Sequence, residues 1–174
     1  RNAVVQRDDN LPVNFSANIS GGTAFDMGGA RVGVIAAGGY SNKWQTRDVI
    51  QQRTLGLDAD QPDRDFRSVI TNQRIVTNGL VGLGVEWGEN RIRWTNVYIH
   101  DTLKRAALRV GEQELNSNIS YMYQDTSWYE RQLMNTQLVG EFQLDPDTEL
   151  NVRGSYANSK RDAPYEISLL YTRL

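Results

Sequence analysis

The chain has 174 residues, 39% of them hydrophobic and 23% charged, with a formal net charge of −2 and no cysteine. That composition removes disulfides, thiolate zinc sites and thiol nucleophiles, and no basic stripe suggests a nucleic-acid partner. No run of about 18 apolar residues is present to make a spanning helix. A mean hydropathy of −0.56 does not exclude spanning strands, because outward and inward side chains alternate and their average cancels.

The first element is read from alternation. Leu11, Val13, Phe15, Ala17 and Ile19 are apolar, and Pro12, Asn14, Ser16 and Asn18 stand between them. Period two places the sets on opposite faces of a strand. The pattern runs on through Thr23 and Phe25 to a glycine turn at Met27-Gly28-Gly29-Ala30. The chain then returns through Val32, Val34, Ala36, Gly38, Tyr40, Asn42 and Trp44, and a polar loop is expected over Gln52 to Arg67.

A third strand is expected from Ser68 to Trp87, with Val69, Ile75, Val81, Leu83 and Val85 on one face and Asn72, Arg74 and Glu86 on the other. Ile70, Val76 and Leu80 break the rule. The turn Gly88-Glu89-Asn90 leads to a fourth strand, Arg91 to Lys104. Its parity is mixed, since Ile92, Trp94 and Tyr98 are even while Val97 and Ile99 are odd; a bulge would account for that.

A second polar loop is expected over Arg105 to Asp125, then a fifth strand from Ser127 to Leu144. Asp145-Pro146-Asp147-Thr148 is a turn sequence. The sixth strand sets Leu150, Val152, Gly154 and Tyr156 against Asn151, Arg153, Ser155 and Ser159.

Tight turns thus alternate with long polar connections, and the strands exceed the usual five or six residues of a globular sheet. Outer-membrane barrels have this layout. The fold class read from the sequence is all-β: about six long antiparallel transmembrane β-barrel strands, part of a larger barrel, filling residues 1–174 as one segment. Phe25, Trp87, Trp94 and Phe142 near the short turns, and Tyr40, Trp44, Trp128, Tyr129 and Tyr156 toward the long loops, suit two interfacial aromatic belts.

Catalytic machinery is not legible. His100 is the one histidine, no Gly-x-Ser-x-Gly elbow occurs, and Gly79-Leu80-Val81-Gly82-Leu83-Gly84 reads as strand glycine. The acidic run Asp58 to Asp65 reads as a solvated loop better than as a calcium site. No enzyme, metal or cofactor is expected.

Several phrases resemble barrel strands of TonB-dependent receptors: Asn14-Phe15-Ser16-Ala17-Asn18, Arg93-Trp94-Thr95-Asn96-Val97-Tyr98-Ile99, Trp128-Tyr129-Glu130-Arg131-Gln132-Leu133 and Arg153-Gly154-Ser155-Tyr156-Ala157-Asn158-Ser159. Arg161 to Glu166 is similar to the stretch by which such a strand enters an external loop. The resemblance implies a large barrel around a plug in a Gram-negative outer membrane, importing scarce nutrients such as siderophore-iron, cobalamin or sugars. Its implied partners are membrane lipid, the remaining strands and plug, and TonB acting through the plug. No plug and no energy-coupling box near Arg1 are seen, and Leu174 is not a terminal aromatic, so a middle portion of a longer protein is expected. In this reading external-loop residues Arg53, Arg64, Trp128 and Tyr129 contact substrate, while Arg74, Glu86, Asn151 and Arg153 face the lumen or plug. Two other readings stay open: a complete eight-stranded structural or adhesive barrel, with Leu115–Gln124 and Ile167–Leu174 as the extra strands, and a soluble β-sandwich binding module.

Overall fold

The computed structural model describes residues 10–53, 64–113 and 119–173. They form six strands: β1 (Phe15–Met27), β2 (Ala30–Arg53), β3 (Arg64–Trp87), β4 (Asn90–Gln113), β5 (Ser120–Asp145) and β6 (Thr148–Arg173). All lie in one antiparallel sheet in the order β1-β2-β3-β4-β5-β6. The protein is all-β, with no helix among the described residues. At about 3.3 Å per residue, the strands of 24 to 26 residues are about 80 Å long.

Three turns sit at one end, and each has its own backbone chemistry. Gly28 and Gly29 have φ of 60° and 85°, the left-handed pair that a two-residue hairpin uses to match strand twist. Gly88, with φ of 56°, supplies the single positive φ of the β3–β4 turn. At the β5–β6 turn Pro146 presets φ, the Asp147 backbone N–H donates to Asp145 Oδ1 at 3.2 Å, and a register shift between Gln143 and Asp145 takes up the extra residue.

The strands run further than the sequence suggests. Expected loop residues 52–53 and 64–67 belong to β2 and β3, and much of Arg105–Asp125 belongs to β4 and β5. Asp58, Asp60 and Asp63 lie outside the described residues. The ladder itself satisfies the backbone of these polar-rich ends, and Ala106, Leu108 and Val110 still alternate with Arg105 and Arg109 along β4. Arg161–Glu166, expected to enter a loop, is strand as well: β6 passes Pro164 through a bulge between Trp128 and Glu130 and pairs on to Arg173. Pro164 is tolerated there because it falls at the bulge, where it faces no ladder partner in β5.

Register also removes the expected irregularity of β4. Its pairings with β3 and β5 advance one for one with no shift. Val97 and Ile99 lie on the face opposite Ile92 and Trp94, where Val97 pairs with Leu80 and Ile99 with Leu133. The parity break is therefore a second apolar patch, and the strand keeps its phase. Residues 120–124 begin β5 and residues 167–173 end β6, so neither makes a separate strand of an eight-stranded barrel.

No second layer packs on the sheet among the described residues. Among the described residues Phe66 and Ala107 are the buried apolar side chains, while Ile19, Phe25, Ile35, Leu83, Leu138, Val152 and Tyr156 stand exposed. Apolar side chains exposed to this extent mark an interaction surface on the sheet.

Candidate functional site: two unlike faces of one sheet

Cross-strand partners in an antiparallel pair share a face, so the register sorts every side chain. Counting from the short turns, one face reads in rows across β2 to β6. The second row is Val32, Val85, Ile92, Gly140 and Val152, with Phe25 from β1. The third is Val34, Leu83, Trp94, Leu138 and Gly154, and the fourth Ala36, Val81, Asn96, Thr136 and Tyr156. The fifth is Gly38, Gly79, Tyr98, Met134 and Asn158. With Ala30 and Trp87 in the first row, no Asp, Glu, Lys or Arg occurs on this face across five rows. Four row steps of two residues make a band about 27 Å long along the strands.

The band's far edge is oblique. Tyr156 of β6 lies in the fourth row, Tyr98 of β4 in the fifth and Tyr40 of β2 in the sixth. Charge begins beyond these tyrosines on a steeper and less regular line, at Lys160 in β6, Glu130 in β5, Lys104 in β4, Arg67 in β3 and Asp48 in β2. The tyrosine line climbs four residues over four strand spacings, about 13 Å in about 19 Å, an angle of about 35°.

Within the band the indole of Trp94 donates to Thr136 Oγ1 at 2.8 Å. Near the turns Trp87 packs on Phe142 with ring centroids 6.2 Å apart. Trp44 and Trp128 lie beyond the tyrosine line, in the row of Lys104, whose Nζ sits 4.6 Å over the Trp128 ring.

The opposite face is charged from its first row. Arg91 bridges Glu141 at 2.8 Å and Arg93 reaches the same carboxylate at 3.1 Å. With Asp26, Arg31, Glu86, Glu149 and Arg153, this turn-proximal ring balances four cations with four anions. Above it come small or uncharged residues: Gly33, Gly82 and Gly84 line a shallow groove of about 510 Å³ with Ile35 and Arg93.

Toward the other end the charged face becomes strongly basic. From Ser41 to Arg53 in β2 and the rows paired with it, Lys43, Arg47, Arg53, Arg64, Arg74, Arg105, Arg109, Arg131 and Arg161 oppose Asp101, Asp125 and Glu166. That is nine cations against three anions. Over the same length the first face carries Arg67, Lys104 and Arg173 against Asp48, Asp65, Glu112, Glu130 and Asp162, three against five. Arg74 grips Asp101 with two bonds of 2.9 Å, and Arg109 reaches Asp125 at 3.5 Å. Arg109 and Arg161 lie over the rings of Tyr123 and Tyr129 at 5.3 and 5.2 Å.

The four substrate contacts expected from sequence fall in three places. Arg53 and Arg64 are cross-strand partners at the end of β2 and β3 and line a cleft of about 230 Å³ with Gln51, Phe66, Arg109 and Tyr123. Tyr129 shares their face but sits about 33 Å nearer the turns, in the row of Lys43 and Arg74. Trp128 is on the other face. All four lie in strands. The rest of the basic strip includes Arg105 and Arg109, in a stretch whose charge reads as loop; the alternation of Ala106, Leu108 and Val110 with them is the available strand signal.

No family model and no curated relative matches the sequence. Among solved structures, 94% of the chain aligns with 70% of a non-hemolytic pneumolysin from Streptococcus pneumoniae strain ST306, at 7% identity and a TM-score of 0.14. A likeness that weak carries no argument.

Proposed function

We propose that the chain is a stretch of wall from an outer-membrane β-barrel transporter of the TonB-dependent receptor type, and that it has no catalytic role. The uncharged face meets lipid, the charged face lines the lumen or meets a plug, and the turns lie on the periplasmic side. β1 and β6 pair with further strands of the same barrel, since an open edge in lipid leaves each unpaired backbone group unsatisfied at a cost of several kcal/mol.

The oblique edge of the uncharged band is the observation that carries this reading. Strands in a membrane barrel tilt by about 35–45° and their apolar band is about 25 Å tall. A flat membrane surface must therefore cross such strands on a slant equal to the tilt, and the tyrosine line does so at about 35°. A sandwich core gives no reason for a line of tyrosines to climb from β6 through β4 to β2. Import of a scarce solute, with energy relayed through TonB and a plug, is the part of the reading that rests on the resemblance of strand phrases such as Arg93–Ile99 and Arg153–Ser159.

Fractionation with heat-modifiable mobility tests the membrane part. The full protein is expected in the outer membrane, migrating faster on gels before boiling than after it. A monodisperse product in buffer without detergent overturns the reading. Solute uptake that continues unchanged when the inner-membrane energy source is removed overturns active transport.

A further inference from the structure

We infer that the basic strip on the lumen-side face is a track for an acidic oligosaccharide. The inference deepens the transport reading and rests on it for the direction the strip faces. The strip extends along β2 from Ser41 to Arg53 and across to β6, about 40 Å by about 19 Å. Its cations are distributed over that whole length. A compact anion would touch one or two of them, whereas a linear polyanion meets them in turn. Lys43, Arg47, Arg105 and Arg131 have no carboxylate within ion-pair distance among the described residues, so their charge is available to a ligand.

The strip lies on the face away from the uncharged band, so lipid phosphates are not its occupant. Base-stacking nucleic acid is disfavoured by the rings themselves. Arg109 and Arg161 already cover Tyr123 and Tyr129, and Phe66 is 7% exposed, whereas strand-nonspecific nucleic-acid tracks need open aromatic faces. What remains is guanidinium edges, tyrosine hydroxyls and the amides and hydroxyls of Gln45, Asn72 and Ser127. That set suits a chain of hydroxylated rings, each with a carboxylate to take a forked arginine.

The test uses the full protein, reconstituted in lipid vesicles, with hexagalacturonate, neutral maltohexaose, inorganic polyphosphate and single-stranded DNA as probes. Hexagalacturonate is expected to bind at least about tenfold more tightly than the other three, with affinity falling as salt rises. Adjacent residues on opposite faces make the decisive pair: Arg105→Glu is expected to weaken hexagalacturonate about tenfold or more, and Lys104→Glu to leave it within about twofold. Equal losses in both variants overturn the inference, as does tighter binding of polyphosphate or DNA. No binding of any probe overturns it too, as expected if an acidic segment of the protein already fills the track. Protein that inserts and is heat-modifiable but lacks the preference fails this inference alone; protein that binds without inserting fails the membrane reading.

Discussion

The indole N–H of Trp94 points along the sheet to Thr136 Oγ1, 2.8 Å away on the neighbouring strand, within a five-row band that carries no charge. In water such a bond contributes little, because solvent offers the same partner. Facing lipid it is the alternative to an unsatisfied donor. Thr136→Val keeps the shape and removes the acceptor, and is expected to destabilise the folded protein by about 1–3 kcal/mol. Thr136→Ser keeps an acceptor and should cost under about 1 kcal/mol. Urea titration in vesicles separates the two; equal costs would show that the bond is not what matters there.

All four tryptophans lie on the face that carries the uncharged band, at different heights, which gives a depth gauge. Trp94 is within the band and Trp87 at its turn-side edge, while Trp44 and Trp128 are beyond the tyrosine line. In variants retaining one tryptophan each, lipids brominated on their acyl chains are expected to quench Trp94 most, Trp87 next, and Trp44 and Trp128 least. Uniform quenching would mean that the face does not sit in a membrane at this height.

How far the sequence disclosed this arrangement depended on what each residue had to satisfy. Phe25, Val85 and Leu138 alternate with polar neighbours because only one face is apolar there, so strand and face could be read together. Beyond Trp44 and Lys104 each face mixes charged with apolar residues, as Asp48 and Ile50 do on one and Arg47 and Val49 on the other. The contrast between faces fades, and only Ala106, Leu108 and Val110 against Arg105 and Arg109 mark that the ladder runs on to Arg53 and Gln113. Val97 and Ile99 looked like a phase break because a local reading cannot see that Leu80 and Leu133 wait across the ladder. The basic strip was invisible for a similar reason: its members come from five strands, and only register assembles them. The tyrosine slant likewise needs Tyr40, Tyr98 and Tyr156 placed in one frame.

The turn glycines invite a smaller prediction. Gly29 has φ of 85°, where a side chain clashes with its own backbone, so Gly29→Ala is expected to cost about 1–2 kcal/mol. Gly21, on the uncharged face, has nothing within 4 Å of where a Cβ would stand and no positive φ. Gly21→Ala should be neutral or slightly stabilising, since it lowers the entropy of the unfolded chain. Folding yield into vesicles and urea midpoints compare the two; a Gly21→Ala penalty as large as that of Gly29→Ala would place a close neighbour over Gly21 in the complete barrel.

Leu138 and Gln137 are consecutive, both exposed, and on opposite faces: Leu138 pairs with Trp94 and Gly154, Gln137 with Thr95 and Ser155. An arginine at either position meets water equally well if the sheet is solvated on both sides. If the Leu138 face is in hydrocarbon, Leu138→Arg near the band's centre costs about 2–4 kcal/mol, enough to consume much of a typical folding free energy. Gln137→Arg, in a wet lumen on the same face as Glu141, should stay within about 0.5 kcal/mol. The comparison is read from urea titrations in vesicles and from the fraction of heat-modifiable protein in the outer membrane. Arginine tolerated at 138 and harmful at 137 would turn the sheet inside out, placing lipid against Arg91 and Glu141, where two guanidinium groups and their shared carboxylate would have to leave water; that cost is why the opposite orientation is the one expected.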